Sequence, residues 1–338
     1  MRVSGRLAML SLSVLAWTSA SACSDAGALS AGGHHVTGPY RHGNLSVFLI
    51  HGPERTPGRP LLTLQEAIEM KKVVVHETGQ VNELAVENVS VDADVYIQSG
   101  DIVKGGRQDR MISQDFIVPA RSGKMPIASF CVEQGRWRGR GSESTQAFNS
   151  SSEQAAGKAL KMAARRADQG EVWRQVAAAQ DRLSASLGAP VAASESASSL
   201  QLTLEHGKVK AGAEEYVRAL SARGLGKDVV GCAFAVNGRL SSAEIYGSRA
   251  LFRKLWPKLL KAAAVEAIAE QRNGPDAAAP RAADVKAWLE GADGARAEEK
   301  DLSPRMKVLT REAVHTVLFE TRDREGRDEW LHRSYLAK

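Results

Sequence analysis

Two dense polar runs, set close together inside sequence that otherwise alternates like half-buried sheet, constrain this chain more than anything else in it. The first is Gly100-Asp101-Ile102-Val103-Lys104-Gly105-Gly106-Arg107-Gln108-Asp109-Arg110. The second is Cys131-Val132-Glu133-Gln134-Gly135-Arg136-Trp137. A plain β-scaffold needs none of these carboxylates, guanidiniums, amides, thiol and indole. Either they meet around a ligand or they satisfy one another in the interior, because a buried charge without a partner is costly.

The N-terminus reads as an export signal. Arg2 and Arg6 form a basic start, residues 7–17 an apolar stretch, and Thr18-Ser19-Ala20-Ser21-Ala22 a small-residue end. The stretch is too short to remain as a spanning helix. Ala20-Ser21-Ala22 fits a signal peptidase site. Cys23 directly after it also fits lipidation of the thiol, although Ala20 stands where such sites usually have Leu. The expectation is an exported cell-envelope protein, lipid-anchored to the membrane if Cys23 is acylated. No second apolar run is long enough to cross a bilayer.

The formal charge is +6, from 45 Lys and Arg against 39 Asp and Glu, and loss of residues 1–22 removes only two arginines. So mild a balance favours a small anionic ligand slightly and does not point to nucleic acid. The short Arg136, Arg138, Arg140 and Trp137 patch does not change that. Cys131 and Cys232 lie in strand-like segments; an oxidising envelope permits a disulfide between them, and two buried thiols are the favoured reading.

Periodicity divides the chain into a signal (1–22), a flexible Gly/Ser/His spacer (23–43), a β-rich domain (44–140), a helical and α+β part (150–272), an Ala/Pro linker (273–283) and a C-terminal helix with strands (284–338). The class is α+β, with a sandwich-like β-rich N-terminal domain. Thr63 is placed to cap a short helix carrying Leu64, Ala67 and Ile68 on one face. Ser150 and Glu153 read as a capping box that opens a helix reaching about residue 168. Asn237-Gly238 marks a hairpin, and Ser248 caps a helix with the stripe Leu251, Phe252, Leu255, Trp256 and Leu259. Pro257 inside that helix predicts a kink or restart. His34, His35 and His42, on a spacer without fixed geometry, read as surface residues and make no metal site.

The chain resembles a bacterial family of unassigned activity, the ARG and Rhodanese-Phosphatase-superfamily-associated protein domain. The resemblance rests on Leu62-Thr63-Leu64-Gln65-Glu66-Ala67, Val86-Glu87-Asn88-Val89-Ser90, the two polar runs, Val236-Asn237-Gly238-Arg239, Glu244-Ile245-Tyr246-Gly247-Ser248 and Leu251-Phe252-Arg253-Lys254-Leu255-Trp256. It covers residues 44–271 and thins beyond. The family name refers to neighbouring ADP-ribosylglycohydrolases and rhodanese-type phosphatases. It implies, by association, a link to ADP-ribose or phosphate chemistry.

Each polar run carries two readings. Gly105-Gly106 with Lys104, Arg107 and Arg110 suits an anion cradle oriented by Gln108 and Asp109, or a hairpin loop with a bulge. Arg136 suits bidentate anion binding and Trp137 stacking, or else Arg136 pairs with Asp101 or Asp109 and Trp137 caps the core. Cys131 as a nucleophile needs a base, for which only His51 and His76 are near in sequence; a buried inert thiol is the alternative. The leading expectation is a binding module whose site joins Asp101, Lys104, Gln108, Asp109 and Arg110 with Glu133, Gln134, Arg136 and Trp137. It would take a small anionic ligand or a segment of another envelope protein, without a cofactor. The rival is a hydrolase acting on a phosphorylated or ADP-ribose-like compound, with Asp101 or Glu133 as acid/base; Glu87, Asp101 and Glu133 have no spacing that predicts a metal.

Overall fold

A computed structural model describes Met1 and residues 33–338, apart from residues 57, 275–276 and 327–328. Apart from Met1, the expected export signal, Cys23 and the first part of the expected spacer therefore lie outside the described residues. The chain is α+β, with strands dominating its first half and helices following. In order the elements are β1 (His35–His42), β2 (Leu45–His51), β3 (Leu61–Thr63), α1 (Leu64–Glu69), β4 (Val73–Glu77), β5 (Glu83–Asn88), β6 (Asp94–Ile97), β7 (Asp101–Gly105), β8 (Arg110–Ile112), β9 (Phe116–Val118), β10 (Met125–Cys131) and β11 (Phe148–Gln154). There follow α2 (Lys158–Arg165), α3 (Gln169–Leu187), α4 (Leu200–Glu205), α5 (Gly207–Leu220), β12 (Val229–Val236), β13 (Arg239–Tyr246), α6 (Arg249–Ala269), α7 (Ala282–Asp293), β14 (Ala297–Asp301), β15 (Met306–Glu312), β16 (Thr316–Asp323) and β17 (Glu329–Ala337).

Three sheets form. The largest has the order β1-β2-β12-β13-β17-β16-β15-β14 and is antiparallel throughout, so the first two strands of the chain lie beside strands from its second half. A second sheet runs β11-β7-β8-β10-β5-β4, and a small third one runs β3-β6-β9. β10 changes partner along its length: residues 125–128 pair with β5, and residues 129–131 pair with β8. Its alternation sends Phe130 into the core under the helices and Ile127 into a separate core among β4, β5, β6 and β9, so both faces are covered.

Several local expectations hold. Thr63 and Glu66 form a capping box on α1, Asn237 and Gly238 both take positive φ at the β12–β13 turn, and Ser248 caps α6. Three do not. Much of the expected spacer is β1, whose residues 35–37 and 40–42 pair with β2; a Gly- and His-rich run has weak strand propensity, and the paired edge of a large sheet overrides it. Ser150 and Glu153 lie in β11 beside β7, and the helix starts only at Lys158, after Gly157 at φ +86. The capping pattern is outcompeted by a sheet edge that needs a neighbour. Finally, Pro257 brings no restart: α6 runs through it as one helix, with buried Leu251, Phe252, Leu255 and Trp256 before it and Leu259 and Leu260 after it. Among the described residues, no helix is long and apolar enough to cross a membrane.

A buried ionic seam joins the large sheet to the smaller ones. His332 of β17 has Nδ1 at 2.7 Å from Asp115 and Nε2 at 3.0 Å from Glu244 of β13. Lys161 of α2 also reaches Glu244, at 2.9 Å, and Thr321 donates to Asp115 at 2.7 Å. With both ring nitrogens facing carboxylates, the imidazole holds both protons. Burial alone would lower its pKa, but the two carboxylates raise it to about 9. Burial pushes the Glu244 carboxyl up, and Lys161 and His332 bring it down to about 2.

The signs of these shifts set a stability window. The raised His332 pKa stabilises the fold fully below 6.5 and loses that contribution as pH rises towards about 9. The depressed Glu244 pKa stabilises above 4.5 and loses it as pH falls towards about 2. Urea unfolding across pH should therefore give greatest stability between these limits. His332→Gln should be less stable at pH 6 and should lose the alkaline decline; an unchanged slope between pH 6.5 and 9 would place that titration elsewhere.

Candidate ligand-binding site

β7 and β8 are a hairpin with Gly105 and Gly106 at positive φ near its tip. A Cβ on Gly106 would fall 2.2 Å from the Phe148 ring, so this glycine is required by packing against β11. The loop amides that a cradle would offer are taken by the protein's own carboxylates. The Gly105 amide donates to Asp109 Oδ1 at 3.0 Å, and the Arg107 amide donates to Glu77 Oε2 at 3.1 Å.

The second polar run closes on the first. Asp109 and Glu133 are fully buried. Glu133 Oε2 accepts from the Asp109 amide at 3.1 Å and Oε1 from Arg136 Nε at 2.7 Å, while the Gln108 side chain donates to the Glu133 carbonyl at 2.9 Å. Arg136 also donates to the carbonyls of Gly105 and Gly106. Asp109 receives a bidentate Arg140 at 2.8 and 3.2 Å, Ser199 Oγ at 2.9 Å, and has Arg136 at 3.6 Å. Every carboxylate oxygen of this knot has a partner. Burial pushes the Glu133 carboxyl up, and hydrogen bonds from Arg136, Ser196 and the Asp109 amide bring it below the usual range. Burial raises Asp109 against the pull of the Arg140 bond, and the Glu133 charge adds to the rise.

The remaining candidates lie around this knot. Arg110 is fully buried, with one guanidinium nitrogen donating to the Gln108 carbonyl and another 3.5 Å from Glu77. The Trp137 ring, 43% exposed, lies under the guanidiniums of Arg107 and Arg110 at 5.4 and 5.6 Å. Gln134 and Lys104 reach towards α4: the Gln134 backbone bonds to Ser198 Oγ, and Lys104 pairs with Glu205 at 2.9 Å. Cys131 and Cys232 are buried free thiols. Burial pushes the Cys131 thiol up to about 11, which leaves it protonated at neutral pH. Neither histidine near it in sequence is paired with it: His76 bonds Glu87, and His51 bonds Asp228 and Thr37.

Asp101 alone turns away from the knot. Its Oδ2 accepts from the Gln98 amide, and its Oδ1 accepts from Lys258 of α6 at 2.9 Å. Lys258 belongs to a row. Lys254, Lys258 and Lys261, spaced four and three apart, share a face of α6 and meet Glu66 of α1, Asp101 of β7 and Glu153 of β11 in turn. They line an open groove of about 430 Å³ together with Glu66, Glu69 and Glu214. Burial raises the Glu66 carboxyl, and the Thr63 amide and Lys254 more than reverse it. The lysine row was not among the residues singled out from sequence, although its spacing was readable as a second stripe beside Leu251, Leu255 and Leu259. A smaller cavity of about 140 Å³ lies among α2, α3, α4 and α6, with Leu183, Leu200, Leu204 and Val265 in its wall. Burial raises the pKa of Glu266 at its edge, but that carboxyl is held by Ser241 and the first amide of α2.

If the knot is held by its charges, Arg136→Ala strands the buried Glu133 carboxylate and should cost about 3–5 kcal/mol in urea unfolding. Stability within about 0.5 kcal/mol of the parent would show that Arg136 is not needed to hold the two runs together.

No curated protein and no solved structure matches the chain. The family model described as the ARG and Rhodanese-Phosphatase-superfamily-associated Protein domain matches residues 33–336, which takes in β1 and nearly all of β17. The chain belongs to that family.

Proposed function

We propose that this protein is a binding module of the cell envelope, exported by its N-terminal signal and tethered through Cys23, which takes a small anionic ligand in the groove beside α6. One observation carries the reading. Three lysines from consecutive turns of one helix converge on an open groove, whereas the more conspicuous Asp109, Glu133 and Arg136 satisfy one another. A volume of about 430 Å³ falls within the range of small-molecule sites. The row of ammoniums suits phosphate or carboxylate, and Glu66, Glu69 and Glu214 suit hydroxyl or amine donors on the same ligand. A phosphorylated sugar has both kinds of group, and the ADP-ribose and phosphate chemistry implied by the family's description has the same character. Asp101 joins this site through Lys258, and the sandwich-like arrangement of the smaller sheets serves as its platform.

A hydrolase using Glu133 as acid has less support, because both oxygens of Glu133 are engaged and its pKa is lowered.

Titration calorimetry with ADP-ribose, pyrophosphate and inorganic phosphate tests the reading. At least one should bind, and Lys254→Gln with Lys261→Gln should weaken it tenfold or more, while a partly destabilised Arg140→Ala protein that remains folded binds as the parent does. Binding unaffected by the lysine changes, or no binding by any of the three, would overturn it. For the tether, Cys23→Ala should abolish incorporation of labelled palmitate and release the protein from the membrane fraction; retention of both would contradict lipidation at Cys23.

A further inference from the structure

At the other end of the large sheet, three chain segments bring together side chains of a different chemistry. His35 opens β1 and His51 closes β2, and the antiparallel register sets them directly opposite each other. Val229, which opens β12, is in register with His51, so Asp228 stands just beyond the same strand end. One potential ligand atom from each of His35, His51 and Asp228 lies within 4.8 Å of the others. The two imidazoles stack at 4.4 Å between centroids with 14° between their planes. His51 Nδ1 lies 2.9 Å from Asp228 Oδ1, and its Nε2 lies 2.8 Å from Thr37 Oγ1. Both histidines are half-buried and Asp228 is exposed, so the cluster opens to solvent.

We propose that His35, His51 and Asp228 bind a divalent ion of the zinc class, with water completing a tetrahedral shell. Two imidazoles and a carboxylate are a donor set suited to such ions, and all three come from the ends of paired strands, which limits how far they can drift. Ligand atoms at about 2.0–2.1 Å from a tetrahedral ion sit about 3.3 Å apart. The 2.9 Å contact between His51 and Asp228 therefore has to open only slightly, and the His35 ring has to rotate off its stacked position towards the pair.

Thr37 makes the exchange chemically consistent. Without metal, the Nδ1–H of His51 donates to Asp228 and the Thr37 hydroxyl donates to Nε2. With metal on Nδ1, the proton moves to Nε2 and Thr37 accepts from it. A hydroxyl serves in either role, so His51 keeps its orienting partner in both states. His34, next in sequence, is not part of the set: it is buried, with its ring against Trp330.

The test is titration of the chelator-treated, untagged full chain with Zn²⁺ by calorimetry, repeated with Co²⁺ followed by visible absorption. The parent should bind one equivalent of Zn²⁺ and give the intense visible bands of tetrahedral Co²⁺. His35→Gln and Asp228→Asn should each weaken Zn²⁺ binding tenfold or more and remove the bands. His42→Gln, at the far end of the same strand, should change neither. Because the His35 ring contributes only a stacking contact, its substitution keeps the test usable if a His51 variant fails to fold. The proposal is overturned if the parent takes up no Zn²⁺, if His35→Gln binds like the parent, or if His42→Gln weakens binding as much as His35→Gln does.

Discussion

The structure depends on neutralising carboxylates that its own strands bury. Asp101, Asp109, Asp115 and Glu133 fall within a short stretch of chain, and all are almost wholly removed from water. An unpaired charge in such surroundings costs several kcal/mol. Each is therefore met by a cation or a set of donors, and much of this comes from far along the chain. Lys258 comes from α6 to Asp101, Ser199 and Arg140 to Asp109, His332 and Arg165 to Asp115. Only Glu133 finds its main partner nearby, in Arg136. These pairings draw the smaller sheets, the helices and the large sheet into fixed mutual positions. Apolar packing supplies most of the favourable energy, but it is indifferent to direction; the ion pairs specify which surfaces meet.

This constraint separates residues that look chemical from residues that are available. A carboxylate with all its oxygens bonded and a guanidinium shared among carbonyls have little capacity left for a ligand. The α6 lysines differ: an ammonium has three donors, and these face a groove open to solvent. The Lys258–Asp101 pair belongs to both systems, since Asp101 begins the strand that leads into the knot. A ligand drawing on Lys258 would thus act on a contact that also positions β7.

Much of this was legible in the sequence, and the failures have physical causes. The helices α1 and α6 carry strong caps and apolar stripes, and the β12–β13 hairpin has its Asn-Gly turn. The meeting of the two polar runs was also readable, since neither could be buried alone. β1 was read as spacer because an edge strand needs no hydrophobic alternation; the opposite edge shows the same, since Ala-Glu-Glu-Lys-Asp in β14 is mostly exposed and is strand only through its pairing with β15. β11 was misread because Ser150 and Glu153 match a helix start, and only the vacant edge of β7 decides otherwise. The lysine row was passed over because lysines on a helix usually mark its solvated face, and only tertiary structure shows what stands opposite them. His35 and His51 belong to the same class, since their partnership rests on the register of two strands, the first of which was read as spacer.

Amide hydrogen exchange at Gly105 and Asp109 tests most directly whether the two polar runs are locked to each other. Each amide is bonded to a buried carboxylate, of Asp109 and Glu133 respectively. If the knot is a cooperative part of the fold, both should exchange only through global unfolding, with opening free energies equal to that of the whole protein. Exchange at the rate of an exposed loop would mean that the runs separate while the rest stays folded, and the knot could not then be what fixes the arrangement of the sheets.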